Sequence, residues 1–384
     1  MACTMDVTLT RRTVFGPGRL AELGELCRPL GERALIVIGG GSVKRTGALD
    51  KARRSLTDAG VEWVLFEGVE PDPSVDTTDR AVAMGKSENC DLVIGLGGGS
   101  VMDCAKAVAL LITHDGPTAD YQMDRREVDR PGLPYVAVST TSGTGSEANR
   151  VAVLTNKEER IKKALLHPYM VPQLALLDPE LTLSLPQYET AYTGIDALSH
   201  AAESYVSLGA NPLTEAYGLR ALELIADALP KAIRNPEDVD ARADMAMANY
   251  LGGAALNGGV GAAHILAHPL GAEFGIPHGT AIAALLPQVF DANCQAAPRK
   301  YARIYRAFKP DVQVSDAEAA SRAGDALRGF LSEINFAPAL GEHDVDEGDF
   351  EKVYEGVQKS MAHVVTNPRP AGRELLREIL VASL

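Results

Sequence analysis

The chain has 384 residues, 46% hydrophobic and 23% charged, which is more than one ordinary core accommodates and predicts two domains. Its formal net charge of −14 argues against nucleic acid as a partner, because no basic stripe exists to neutralise phosphates, although a single pocket can still be locally positive. No run reaches the ~18 apolar residues needed to span a bilayer, and the five scattered cysteines, with no CxxC pair, predict reduced thiols and a cytoplasmic setting.

The opening residues, MACTMDVTLTRR, lack the apolar stretch of a secretory signal. Beyond them, apolar β-rich runs at 34–38, 63–66, 91–96 and 135–139 alternate with helix-like segments at 48–59 and 75–87. This alternation predicts an α/β domain over residues 1–185, with a parallel sheet and helices on its faces. From about Pro186 the character changes. Stretches 187–208, 212–234 and 239–256 carry Ala, Leu and Glu at helical spacing with few β-branched runs, so residues 186–384 are predicted to form an all-helical domain.

Three glycine turns follow successive predicted strands. Gly39-Gly40-Gly41-Ser42 follows the run 34–38, and Gly97-Gly98-Gly99-Ser100 separates the run 91–96 from a helix-like segment 101–111. The third, Thr140-Thr141-Ser142-Gly143-Thr144-Gly145-Ser146-Glu147, follows 135–139 and adds hydroxyl donors. Glycines at such junctions let backbone approach a phosphate, and a helix N-terminus presents free N–H groups and a positive dipole end. None matches GxGxxG, since Ser100 stands where the third glycine would be, and no P-loop GK[ST] occurs. Each alone reads equally as a tight connection; together they point to a nucleotide crevice at the carboxyl edge of an open sheet.

In the helical half, Asp196 and His200 are four residues apart, as are His264 and His268, and His278 follows in a Pro-His-Gly turn. Side chains at i and i+4 share one helix face. Neutral imidazoles with one carboxylate suit a divalent transition metal, iron(II) or zinc. Five candidates compete for a site of about four ligands, and spacing does not say which histidine is left over as a proton carrier.

Gly97-Gly98-Gly99-Ser100-x2-Asp103-x2-Lys106, the segment 140–147, Gly194-Ile-Asp196-Ala-Leu-Ser-His200-Ala-x-Glu203 and His264-x3-His268-Pro-Leu-Gly-x5-Pro277-His278-Gly279 in this order resemble the iron-dependent (group III) alcohol dehydrogenase family. The likeness runs from about Phe15 to Asn367-Pro368-Arg369. It implies a Rossmann-like dinucleotide-binding domain followed by a helical metal-binding domain, an architecture shared with dehydroquinate synthase, with the active site in the cleft between them. By motif, Asp196, His200, His264 and His278 are implied as metal ligands, with Fe2+ expected and Zn2+ the alternative. His268 is implied as the residue beside the nicotinamide that takes part in proton transfer. Gly97, Gly98, Gly99 and Ser100 would hold the pyrophosphate, with Asp103, Thr140, Thr141, Thr144 and Lys162 around the ribose and nicotinamide halves. Relatives make a homodimer the expected assembly.

Two departures from the family pattern carry further expectations. Where many members place an Asp that favours a free ribose 2′-hydroxyl, this chain has Gly39 within Gly39-Gly40-Gly41-Ser42, followed by Lys44 and Arg45. Room for a 2′-phosphate and nearby cations predict NADP(H) in preference to NAD(H). Arg150 follows the 140–147 segment, and His363 stands four residues before Asn367. Two such groups at one pocket favour an aldehyde carrying a carboxylate, phosphonate or sulfonate, such as phosphonoacetaldehyde or a semialdehyde. The expected activity is therefore reversible, metal-dependent reduction of a small aldehyde to a primary alcohol. The alternatives are a short neutral alcohol or diol dehydrogenase and, fitting the ligand set less well, a dehydroquinate synthase-type lyase. An intact ligand set disfavours a metal-free maleylacetate reductase-like relative, and an idle metal and cofactor site disfavours a non-catalytic binding protein.

Overall fold

The structure, a computed structural model, describes residues 5–159, 161–360 and 366–384. In the first half, short apolar runs form β1 (Thr13–Phe15), β2 (Arg33–Gly39), β3 (Glu62–Val69), β4 (Leu92–Gly97) and β5 (Tyr135–Ser139). The longer helices between them are α1 (Ala48–Asp58), α2 (Val75–Ser87) and α3 (Gly99–Leu111). A hairpin of β6 (Val151–Asn156) and β7 (Ile161–Leu166) precedes β8 (Leu174–Leu177). Six strands make one sheet in the order β1-β8-β5-β4-β2-β3, every neighbouring pair parallel.

Alternation within the strands explains the two covered faces. Ala34, Ile36 and Ile38 of β2 join Leu92, Ile94 and Leu96 of β4 in one apolar layer, while Leu35, Val37 and Val93 join the opposite layer with Met102, Ala105 and Val108 of α3. Successive side chains on a strand point to opposite faces, so a strand apolar at every position is stable only when both faces are covered.

The sheet holds more strands than its four evident runs. β1 has three residues and buries only Val14, and β8 is the unbroken apolar run Leu-Ala-Leu-Leu. Neither length nor period separates such segments from buried helix. The antiparallel β6–β7 pair is diluted by Lys162 and Lys163.

The helical half contains α4 (Gln187–Val206), α5 (Pro212–Arg234), α6 (Val239–Ala255), α7 (Ala262–Phe274) and α8 (His278–Asn293). It continues through α9 (Pro298–Phe308), α10 (Ala323–Glu333), α11 (Phe350–Ser360) and α12 (Arg373–Ala382). α5 opens on a capping box: Asn211 Oδ1 accepts from the Leu213 and Thr214 N–H groups, and Thr214 Oγ1 accepts from Asn211 N. α4 is buried on nearly all sides from Thr190 to Val206, the expected state of a helix apolar all round. Among the described residues no helix is long and apolar enough to cross a membrane.

The chain divides into two compact units. The α/β unit comprises Thr8–Thr141 and Gly145–Ser184, and the chain enters the helical unit at Leu185. The triplet Ser142–Thr144, from the middle of the third glycine turn, belongs with the helical unit. Cys27, Cys90, Cys104 and Cys294 are buried free thiols.

Candidate metal centre and cofactor crevice

α4 carries Asp196, His200 and Glu203 at i, i+4 and i+7, which places all three on one helix face. His264 lies in the first turn of α7, and His278 is the first residue of α8 after Pro277. Asp196 Oδ1 lies 3.5 Å from His278 Nε2, 3.8 Å from His200 Nε2 and 3.9 Å from His264 Nε2. The Asp196, His200 and His264 donor atoms all fall within 4.8 Å of one another, and the three residues are buried. These separations are too long for hydrogen bonds. They match donors that share an ion, since four ligands about 2.1 Å from a tetrahedral centre stand about 3.4 Å apart.

The imidazoles are prepared for that role. Among the described residues the buried His264 Nε2 has no hydrogen-bond partner, an expensive arrangement unless a ligand completes it. Burial, reinforced by the neighbouring His264, holds the His200 pKa well below the ordinary imidazole value, so His200 stays neutral. His200 Nδ1 lies 3.3 Å from the Gly143 carbonyl, which fixes the ring through its other nitrogen. Glycine at 143 is what admits that carbonyl, because a Cβ there would stand 2.8 Å from Thr193 Cβ. For His264, burial acts downward, but the Glu203 hydrogen bond and charge outweigh it and raise the pKa. His268 follows His264 by one turn of α7, with its ring centroid 5.3 Å from that of His278. It is less buried than His264.

In the α/β unit, strand order locates the crevice. The chain runs outward from β2 to β3, then returns to the other side of β2 and proceeds through β4 and β5. The order reverses between β2 and β4, and ligands of open parallel sheets bind outside the carboxyl ends of the strands at such a point. Gly39–Ser42 leaves the end of β2, and Gly97–Ser100 leaves the end of β4. Among the described residues no side chain caps the N-terminus of α3 at Gly98, which leaves its first N–H groups without an intrahelical acceptor. Gly97 permits the tight strand-to-helix turn, since its Cβ would stand 2.7 Å from Val101 Cγ2. Thr140 N donates to the Gly97 carbonyl at 2.9 Å, and Thr141 lies against Gly98.

Asp103, Lys162, Lys44 and Arg45 belong to the α/β unit. Lys162 Nζ pairs with Asp72 at 2.6 Å, and Asp72 N donates to Ser100 Oγ at 3.2 Å. Asp103 has both carboxylate oxygens engaged within the fold, by the Ser146 hydroxyl at 2.6 Å and Val153 N at 2.9 Å. Thr144 lies in the triplet that joins the helical unit. Lys44 is ion-paired with Glu67, whereas Arg45 extends beside Gly41.

Comparison with known proteins agrees with both halves. The description "Iron-containing alcohol dehydrogenase" matches residues 10–179, and "Fe-containing alcohol dehydrogenase family, C-terminal" matches residues 190–384. The chain belongs to the iron-containing alcohol dehydrogenase family. This family member is 36% identical to a 1,3-propanediol dehydrogenase of Klebsiella pneumoniae over 97% of each chain. It is 38% identical to alcohol dehydrogenase 4 of Schizosaccharomyces pombe, over 92% of this chain and 83% of that one. A crystal structure of a 1,3-propanediol oxidoreductase superposes over the full length of both chains with a TM-score of 0.94 at 35% identity. Metal-dependent oxidoreduction of an alcohol–aldehyde pair is accordingly the activity of this family member.

Of the two residues assigned to the substrate, Arg150 precedes β6 and its carbonyl accepts the His167 N–H at 3.2 Å. His363 lies outside the described residues. Sequence reasoning gave no role to Gly143, Glu203 and Asn367, although the first two lie in the recognised motifs. The available signal was Glu203, at i+3 from His200 and i+7 from Asp196 on the ligand-bearing face.

Proposed function

We propose that this family member reversibly reduces small aldehydes to primary alcohols, with Fe2+ as the metal (Zn2+ the alternative) and NADP(H) preferred over NAD(H). The convergence of three imidazole nitrogens on Asp196 Oδ1 at 3.5–3.9 Å is the observation that carries the reading. When bound, a divalent ion supplies a Lewis acid for the carbonyl oxygen, and the nicotinamide supplies the hydride. Asp196, His200, His264 and His278 hold and orient the ion. His268, one turn beyond a ligand and partly open, moves a proton between the substrate oxygen and solvent. The uncapped α3 N-terminus with Gly97–Ser100 receives the pyrophosphate.

The cofactor preference is supported by the lack of a carboxylate at Gly39, the open space at Gly40 and the position of Arg45. Lys44, already paired with Glu67, contributes less. Arg150 is assigned to an anionic substrate group. A second reading, dehydrogenation of a short neutral diol, is supported by the 1,3-propanediol dehydrogenases among the relatives. A cytoplasmic homodimer is the working form under either reading.

Absorbance at 340 nm tests the proposal, with enzyme loaded with Fe2+ or Zn2+ and both cofactors supplied. The aldehyde panel contains phosphonoacetaldehyde, succinic semialdehyde, sulfoacetaldehyde and butanal. Aldehyde-dependent consumption, faster with NADPH, is expected. A clear NADH preference overturns the cofactor assignment, and cofactor cycling without net absorbance change points to the lyase. An Arg150→Ala variant with unchanged KM for the anionic aldehydes favours the neutral-diol reading.

A further inference from the structure

The carboxylate of Glu203 is almost completely buried, and it carries out two tasks at once. Its Oε2 lies 2.6 Å from His264 Nδ1, and its Oε1 accepts the Ala263 N–H at 2.8 Å. Ala263 is the second residue of α7, whose N-cap, Gly261, has no side chain to satisfy the exposed donors. The adjoining Ala262 N–H is taken at 3.3 Å by Asn367 Oδ1, itself held by a reciprocal amide pair with Asn293 at 2.8 and 2.9 Å. Side chains remote in sequence thus cap α7, and a carboxylate there is favoured by the helix dipole.

We propose that Glu203 is a positioning residue for the metal centre, locking His264 in the tautomer and orientation that present Nε2 to the ion. The proposal rests on the metal-site reading above. An ionised carboxylate only accepts hydrogen bonds, so at 2.6 Å it holds the imidazole proton on Nδ1 and leaves the Nε2 lone pair available. The same carboxylate ties the start of α7 to α4, so ligands from two helices share one rigid reference. Asp196, His200 and Glu203 form a continuous stripe on α4, of which the first two would hold the ion and the third would act on it through His264. The glycine at 261 belongs to this arrangement: a Cβ there would stand 2.7 Å from Glu203 Oε1 and 2.9 Å from Asn367 Oδ1.

Glu203→Gln keeps size and shape but cannot perform both tasks. With its carbonyl oxygen on Ala263 N–H, its NH2 faces His264 Nδ1, which must then accept, moving the proton to Nε2. In the opposite orientation the NH2 faces the Ala263 N–H and the helix cap is lost. The experiment titrates purified full-length wild type, Glu203→Gln, His264→Ala and the double variant with Co2+ against a competing chelator. The visible d–d spectrum is followed alongside, with circular dichroism and melting in EDTA as a fold control. Glu203→Gln is expected to weaken Co2+ binding about 10- to 100-fold and to alter the spectrum while leaving the EDTA melt within a few degrees of wild type. In the His264→Ala background the same change is expected to have little further effect, because Glu203 acts through His264.

Unchanged Co2+ affinity and spectrum in Glu203→Gln overturns the assignment, as does an equal loss in the His264→Ala background. If Glu203→Gln does not fold, Gly261→Ala, which displaces the carboxylate by steric contact, carries the same expectation and the same refutation. Failure of the wild type itself to bind Co2+ would instead defeat the metal-site reading, so the two failures are distinguishable.

Discussion

Replacing Lys106 by methionine isolates the energetics of an amine buried in the α/β unit. The side chain is fully buried on α3, and Nζ donates to Asn149 Oδ1 at 3.0 Å and to the Val151 carbonyl at 2.6 Å. Burial lowers its pKa from 10.5 to about 8, against the opposing pull of Asp103 and Glu147. Between those values the unfolded chain binds more protons than the folded one, so stability rises with pH across the window. Below about pH 8 the amine is charged in both states and the burial penalty is fully present; above 10.5 it is neutral in both and the penalty is gone. The difference, 10.5 − 8 = 2.5, corresponds to about 3 kcal/mol at ~1.4 kcal/mol per pH unit. Cys27 and Cys104 act in the opposite direction. Burial pushes both thiols up from 9.0 to about 12, so they erode stability as pH rises above 9.0. Both thiols remain in the variant, and subtraction removes them. Urea unfolding at intervals from pH 7 to 10.5 should therefore show wild-type stability climbing by about 3 kcal/mol relative to Lys106→Met. A pH-independent offset of ~1–3 kcal/mol from the lost amine donor is superimposed. A difference that stays flat across the window would refute the reasoning.

Removing bound metal with a chelator should lower the melting temperature of wild type, by the equivalent of roughly 3 kcal/mol at a hundredfold excess over Kd; an Asp196→Ala protein should not respond. His278→Ala removes one of four donors, and its metal content by mass spectrometry should fall below half that of wild type; full occupancy would remove His278 from the ligand set. Gly97→Ala drives a Cβ against Val101. It should cost about 1–3 kcal/mol through overpacking and weaken cofactor binding by fluorescence titration while metal content is unchanged. Asn211→Ala removes the α5 capping box and should destabilise the helical unit by ~1 kcal/mol in chemical unfolding without altering cofactor affinity.

The parts most legible in the sequence were those specified locally. The β4–α3 junction is announced by an apolar run, three glycines and a helix-forming segment, and each feature acts within a few residues. Asp196 and His200 are legible because one helical turn places them on one face. β1 and β8 were not legible, because a three-residue strand and a four-residue apolar run have too little period of their own. Their pairing with one another and with β5 comes from residues far along the chain. The third glycine turn showed its glycines but not their use: Gly143 supplies a carbonyl to His200, 57 residues later.

The sequence alone determined the alternating half, the helical half, the identity of the metal-ligand candidates and the family to which they belong. All of these follow from short-range spacing and from motifs in a fixed order. The tertiary structure decided which donors converge. It brought His278 and His264 to the same Asp196 oxygen, put the two glycine turns on either side of the β2–β4 reversal, and seated Glu203 on the far nitrogen of His264. Those relations join residues 58 to 82 positions apart. They are set by helix packing, strand order and the need to satisfy buried polar atoms, none of which a linear pattern contains.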